Sequence, residues 1–258
     1  MIGQIWTTML TQPLLNGLLA IYQLVGNLGV SIIILTTALR FILLPLSAPS
    51  LKNAAKMKEV APKLDKLKKK YKNDKQGLAK AQMDLYKQEG INPASGCLPQ
   101  ILQLIILAAL YNVFRQVLGS TEGLSENVTQ LLYPFINLQQ DQAINLKFAY
   151  LDLTQPDTFK LGNIPIPGFF LLAAAGIQFL SSKLLMPAVK TEEKISKKTE
   201  SKSDDFASIM QTQSLYLFPL MTIFIGFRFP SGLVLYWLTF SLVNLIQQLV
   251  ISKKKNAA

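Results

Sequence analysis

The sequence predicts an all-α membrane protein: five transmembrane helices around a hydrophilic groove, with a cytoplasmic helical hairpin and an N-terminal interfacial helix. Three observations carry this expectation. Half of the 258 residues are hydrophobic and only 16% are charged, against about 25% in average soluble proteins, and mean hydropathy is +0.30. Apolar runs of span length recur along the chain. The charges are gathered into blocks between those runs: residues 52–89 hold twelve lysines and five acids, residues 119–162 two lysines and five acids. The net charge of +11 is therefore mostly one loop. It is not read as a nucleic-acid footprint, with ribosomal RNA the one such partner left open.

The elements follow in order. Residues 1–27 are amphipathic: Thr, Gln and Asn interrupt the apolar run, Pro13 breaks it, and Trp6 and Tyr22 suit headgroup depth. One or two interfacial helices are expected there, with a full span as the alternative. Span 1 covers 28–48. Residues 49–90 form two lysine-rich helical stretches separated near Asn73, Asp74 and Gly77, an antiparallel hairpin whose first arm Pro62 kinks or delimits. Span 2 covers 98–118 and leads into an acidic extracytoplasmic loop, 119–162. Span 3, 166–186, is opened by the proline-rich IPIPGFF. Loop 187–208 is polar and of disordered composition. Span 4, 209–229, is separated from span 5, 232–251, only by FPSG, so these two are antiparallel. Residues 252–258 are a basic cytoplasmic tail. The basic loops set the orientation, N-terminus outside and C-terminus inside.

Several chemistries have no residues to carry them. The single cysteine, Cys97, and the absence of histidine exclude an internal disulfide and the usual Cys/His metal sites. No nucleophile–base pair, H-E-x-x-H motif or membrane-depth carboxylate dyad suggests an enzyme, and no cofactor is expected. No Lys or Arg precedes Arg40 and no A-x-A-like site follows, so a cleaved secretory signal is not expected.

One residue stands out on energetic grounds. Arg40 lies inside span 1, cannot be deprotonated at ordinary pH, and at bilayer depth costs about 2.5–3.5 kcal/mol on insertion scales and about 10–17 in simulations. Thr36 and Thr37 share its helical face at i−4 and i−3, and Ser47 at i+7. No Asp or Glu lies within any of the five spans, so no counter-ion is available at that depth. Other spans carry polar stripes: Gln103 and Tyr111; Gln178, Ser181 and Ser182; Trp237, Ser241, Asn244 and Gln248. Such stripes also serve as glue between helices. Together with Arg40 they suggest a hydrated pocket, open to the cytoplasm or sideways to lipid, that could solvate a segment entering the membrane.

Two long motifs are more specific. GINPASGCLPQILQLIILAALYNVFRQ, residues 90–116, resembles the segment that opens the second core span of the YidC membrane protein insertase family, which includes mitochondrial and chloroplast relatives. FPSGLVLYWLTFSLVNLIQQLVI, residues 229–251, resembles that family's last span, and GIQFLSSKLL, 176–185, its third. The resemblance covers residues from about 20 to 255. It implies an insertase and chaperone, not an enzyme, that passes hydrophobic segments of newly made proteins from the cytoplasm into the bilayer through a positively charged groove. By position in TTALRFILLPLS the groove arginine is Arg40, with Gln178 and Trp237 facing it and Tyr236 beside Trp237; Thr36, Thr37, Gln103, Ser181, Ser241 and Asn244 complete the candidate substrate-contacting set. Gly90, Asn92, Pro93, Gly96 and Pro99 match the motif's turn. Implied partners are nascent membrane proteins and the lipid bilayer, with the Sec translocon, ribosome and signal-recognition machinery reached through the 52–89 hairpin. A monomer in a bacterial plasma membrane is expected. The sequence departs from some relatives in lacking a large extracytoplasmic domain, a long basic ribosome-binding tail and a lipobox around Cys97. A channel or secondary transporter is the alternative, disfavoured by spans without Asp, Glu or His and by the lack of a visible inverted repeat.

Overall fold

The structure, a computed structural model, describes residues 2–71, 74–92, 98–118, 126–136, 138, 143–185 and 213–256. Helix α1 (Ile2–Trp6), a π-helical turn (Thr7–Thr11) and helix α2 (Gln12–Val25) open the chain. The sequence reading has Pro13 break this segment. Instead the helix runs through it: Pro13 lacks the N–H that would bond the Met9 carbonyl, and the wider turn just before it absorbs the mismatch. Leu15, Leu18 and Leu19 are fully buried, so α2 packs into the main core with the following helices. Asn16, also buried, is fully satisfied: its amide nitrogen donates to the carbonyls of Gln12 and Leu131, both at 2.8 Å, and its oxygen accepts from the Tyr133 amide at 2.6 Å.

Gly26, with φ of 67°, ends α2 in the left-handed conformation that costs glycine little. Asn27 then caps α3 (Leu28–Ile42), its side-chain oxygen accepting from the Val30 amide at 3.1 Å. The short corner makes α2 and α3 an antiparallel pair.

Span 1 is not straight. Helix α3 stops at Leu43, and α4 (Leu44–Lys70) departs from it at 62°. Pro45 accounts for the bend: it has no N–H for the Phe41 carbonyl and its ring crowds that position. The expected 28–48 span is thus a bent pair, and its second half continues unbroken through Pro49 and Pro62 into the first hairpin arm. Pro62 does not delimit the arm. Asp74 caps α5 (Lys75–Gln88), accepting from the Gly77 amide at 2.8 Å; Asn73 lies outside the described residues. Val60, Tyr86 and Ile91 form a small separate core joining the two arms. The Lys63–Glu89 pair at 2.5 Å is too exposed to contribute much.

Helix α6 (Leu98–Leu118) follows; Pro93, Gly96 and Cys97 of the motif ahead of it lie outside the described residues. Beyond the short helix α7 (Glu126–Thr129), the 119–162 loop and the start of the expected span 3 hold elements that an all-α reading omits. Two antiparallel ribbons pair β1 (Lys147–Phe148) with β2 (Leu151–Asp152) and β3 (Thr158–Leu161) with β4 (Ile164–Pro167). Helix α8 (Phe169–Leu185), a π-helical turn (Gln213–Leu217), α9 (Phe218–Gly226) and α10 (Ser231–Asn256) complete the chain. Loop 187–208 and residues 209–212 of span 4 lie outside the described residues.

Residues 145–157 satisfy the open N-termini of three helices. The Leu28 amide of α3 donates to the Asn145 carbonyl at 3.2 Å, and the Ser231 and Gly232 amides of α10 to the carbonyls of Gln155 and Leu153 at 2.7 and 3.2 Å. For α8 the groups are side chains. Buried Asp157 accepts from the Leu171 amide at 2.7 Å and from the Tyr150 hydroxyl at 2.8 Å, and that hydroxyl accepts from the Phe169 amide at 2.8 Å. Desolvation first, and then the bond to Asp157, push the Tyr150 phenol's ionisation upward, so it remains a donor at neutral pH. Helices α3, α8 and α10 therefore start at one end of the molecule, and α9, joined to α10 by residues 227–230, runs the other way.

Among the described residues, Ser231–Val250 is the one helix long and apolar enough to cross a membrane unaided; the bent α3–α4 pair passes the same test, and Ile101–Val117, Phe169–Leu184 and Leu215–Gly226 are shorter apolar helices. At 1.5 Å per residue the 21-residue α6 is about 30 Å long, the thickness of a hydrocarbon core.

Asp157→Ala is expected to lower stability by about 1–2 kcal/mol, the usual cost of removing a helix cap, read as a fall in thermal midpoint in detergent. Asp157→Asn, which keeps an acceptor, should lose less.

Candidate functional site

Helices α3 and α10 pack side by side and between them enclose the guanidinium of Arg40, which is 5% exposed. It sits in the last turn of α3, where helix-end carbonyls favour a cation. Residues Tyr236, Phe240 and Asn244 of α10 recur every four positions and so line one face. The Arg40 Nη2 donates to the Asn244 side-chain oxygen. Its Cζ lies 4.4 Å from the centre of the Phe240 ring, a cation–π contact worth about 2 kcal/mol or more where water is displaced. Tyr236 packs against Phe240, centroids 6.2 Å apart, and donates to Gln103 of α6 at 3.2 Å. Every partner shown for the arginine is electrically neutral.

Among the described residues, several buried polar atoms have no protein partner: Arg40 Nε, Gln103 Nε2, Ser181 Oγ, and the amide groups of Gln247 and Gln248. Native proteins leave few such groups, since each costs about 1–3 kcal/mol.

The structure gathers some of the sequence-predicted residues and disperses others. Arg40, Asn244, Tyr236 and Gln103 form one linked set. Thr36 and Thr37 lie on the arginine's helix, but their hydroxyls donate to the Ile32 and Ile33 carbonyls, at 2.6 and 2.8 Å. Ser181 and Ser241 are buried. For Gln178 and Trp237 the structure shows other neighbours. The Gln178 side-chain oxygen accepts from Thr222 of α9 at 2.6 Å. Trp237 lines an apolar cavity of about 310 Å³ between α6, α8, α9 and α10, two helical turns from Asn244. Phe240 and Thr222 were missed. Phe240 could have been found, since it falls midway in the stripe from Tyr236 to Asn244; nothing in sequence pairs Thr222 with Gln178. Among the described residues no group of three or more His, Cys, Asp or Glu could hold a metal ion.

What this arrangement can do is solvation. A fixed positive charge at the end of a bent helix can accept polar or acidic groups from a segment otherwise facing hydrocarbon.

Residues 20–258 match the family described as 60Kd inner membrane protein. The chain is similar to the Membrane protein insertase YidC of Fusobacterium nucleatum subsp. nucleatum, 35% identical over 230 residues that cover 89% of this chain and 88% of that one. It is also similar to the Membrane protein insertase YidC of Francisella tularensis subsp. novicida, 34% identical over 237 residues, 92% of this chain and 34% of that protein. The chain thus spans about a third of the Francisella relative.

If Asn244 is the arginine's main acceptor, Asn244→Leu should destabilise the protein by about 1.5–3 kcal/mol, the range for hydrogen bonds to charged groups. Adding Arg40→Met should recover part of that loss. Thermal melts of the two single variants and the double variant measure the coupling.

Proposed function

The chain belongs to the 60Kd inner membrane protein family, and we propose that it is a plasma-membrane insertase. It passes hydrophobic segments of newly made proteins from the cytoplasm into the bilayer and assists their folding. The observation that carries the mechanism is the buried Arg40 guanidinium, held by a neutral amide and an aromatic face with Nε unpaired. A carboxylate of an incoming segment makes a stronger, charge-assisted bond than Asn244 does and displaces it. Gln103, Ser181, Gln247 and Gln248 supply further polar contacts to the entering backbone. Apolar residues of the segment then move sideways among the exposed Leu104, Leu220 and Phe224 into lipid.

In this reading the lysine-rich helices α4 and α5 face the cytoplasm and receive substrates, ribosomes or targeting factors. The 145–167 ribbons lie outside, with the N-terminus outside and the C-terminus inside. The monomer is the working unit, since the linked polar set is complete within one chain.

The test is insertion of a single-span substrate with an acidic N-terminal segment into proteoliposomes holding the purified protein. Arg40→Ala should slow insertion by roughly tenfold, the effect of losing a bond of about 1.4 kcal/mol, and Arg40→Lys should be milder. An alanine variant that is folded and fully active would remove the charge from the mechanism.

A further inference from the structure

The apolar cavity beside Trp237 is not used by the polar set around Arg40. At about 310 Å³ it lies at the small end of the ligand-pocket range of roughly 300–1,000 Å³. Its walls are almost wholly hydrocarbon, and the hydroxyl of Thr222 is already donated, within 2.6 Å of Gln178 and 3.0 Å of the Phe218 carbonyl. Such a space suits an unbranched apolar chain and offers nothing to a polar one. It is not sealed: Leu104 and Ala108 in its wall are exposed on the outer face of α6.

One end of the cavity is marked by charge. Tyr111 and Phe229 line it and meet edge to face, centroids 5.2 Å apart. Arg115, one turn after Tyr111, places its guanidinium carbon 6.0 Å from the Tyr111 ring. Arg228 immediately precedes Phe229 in the turn between α9 and α10. Both arginines are exposed, and neither belongs to the ion pair found among the described residues. One planar, permanently charged group beside Tyr111 at the end of a dry slot, with a second arginine at the next position to the lining Phe229, matches a phosphate with a hydrocarbon tail. We propose that this cavity binds an acyl chain of one anionic phospholipid, with Arg115 and Arg228 holding its phosphate. The site does not depend on the insertase reading, and either can fail alone.

The chain's two tryptophans are Trp6 and Trp237, so a Trp6→Phe background leaves the cavity with the sole indole. The full-length protein is reconstituted in phosphatidylcholine vesicles containing a minor fraction of lipid brominated on its acyl chains, either phosphatidylglycerol or phosphatidylcholine. At equal fraction, brominated phosphatidylglycerol should be about fivefold more effective at quenching Trp237 fluorescence, the preference expected of a basic residue for an anionic headgroup. Ala108→Leu, which fills the cavity mouth, should weaken that quenching. Arg115→Gln with Arg228→Gln, both on the surface and no threat to folding, should reduce it to the phosphatidylcholine level. Equal quenching by the two lipids, unchanged in the double glutamine variant, would overturn the proposal. So would quenching by a hydrophobic peptide bearing bromophenylalanine but by neither lipid, which would give the cavity to protein segments.

Discussion

The rest of this protein depends on a cation that cannot lose its proton and that, among the described residues, is held by neutral groups. Burying Arg40 among neutral groups is costly, and the fold offsets the cost in small increments: the carbonyl end of α3, one amide from Asn244 and the face of Phe240. None of these is as good as a carboxylate. The resting site is therefore stable enough to exist and weak enough to be displaced, which is what a transient partner requires. The backbone bend at Leu43 places the charge next to a break in the helix, where the chain turns away from the apolar body toward the lysine-rich hairpin.

The opposite end of the molecule supplies the rigidity. Residues 145–157 cap α3, α8 and α10 together, so the helix carrying the arginine and the helix carrying its acceptors are pinned at a common level. Gly29 adds to this, since any side chain there would collide with the Phe148 ring of the first ribbon. A displacement of Asn244 by a substrate can then be local, with the relative register of α3 and α10 maintained by bonds at the far end.

Much of this was legible in the sequence because bilayer physics is unforgiving. A charge inside an apolar run, the absence of acids at the same depth, and polar residues every three or four positions are visible without coordinates, and they nominated Arg40, Asn244 and Gln103, while Tyr236 came from the resemblance. What stayed hidden depends on partners distant in sequence or on backbone detail. Helical periodicity assigns Gln178 a face but cannot show that Thr222 already bonds it, and it cannot tell an apolar chamber at Trp237 from a polar groove. Proline positions were visible while their outcomes were not: Pro45 bends the backbone, whereas Pro13 and Pro62 are carried within helices. The ribbons were missed because their four strands are two to four residues long, below the length at which alternation can be read.

The central claim is that the neutral cage around Arg40 gives way to an incoming polypeptide. The most direct measurement places benzoylphenylalanine at position 240, which keeps a ring near the guanidinium and extends it by a benzoyl group, and irradiates ribosome-stalled nascent chains of increasing length. The account predicts an adduct when the acidic segment of the substrate reaches membrane depth, and its loss when those acids are made neutral. An adduct from the exposed hairpin position 83 at every length, with none from position 240 at any, would contradict it.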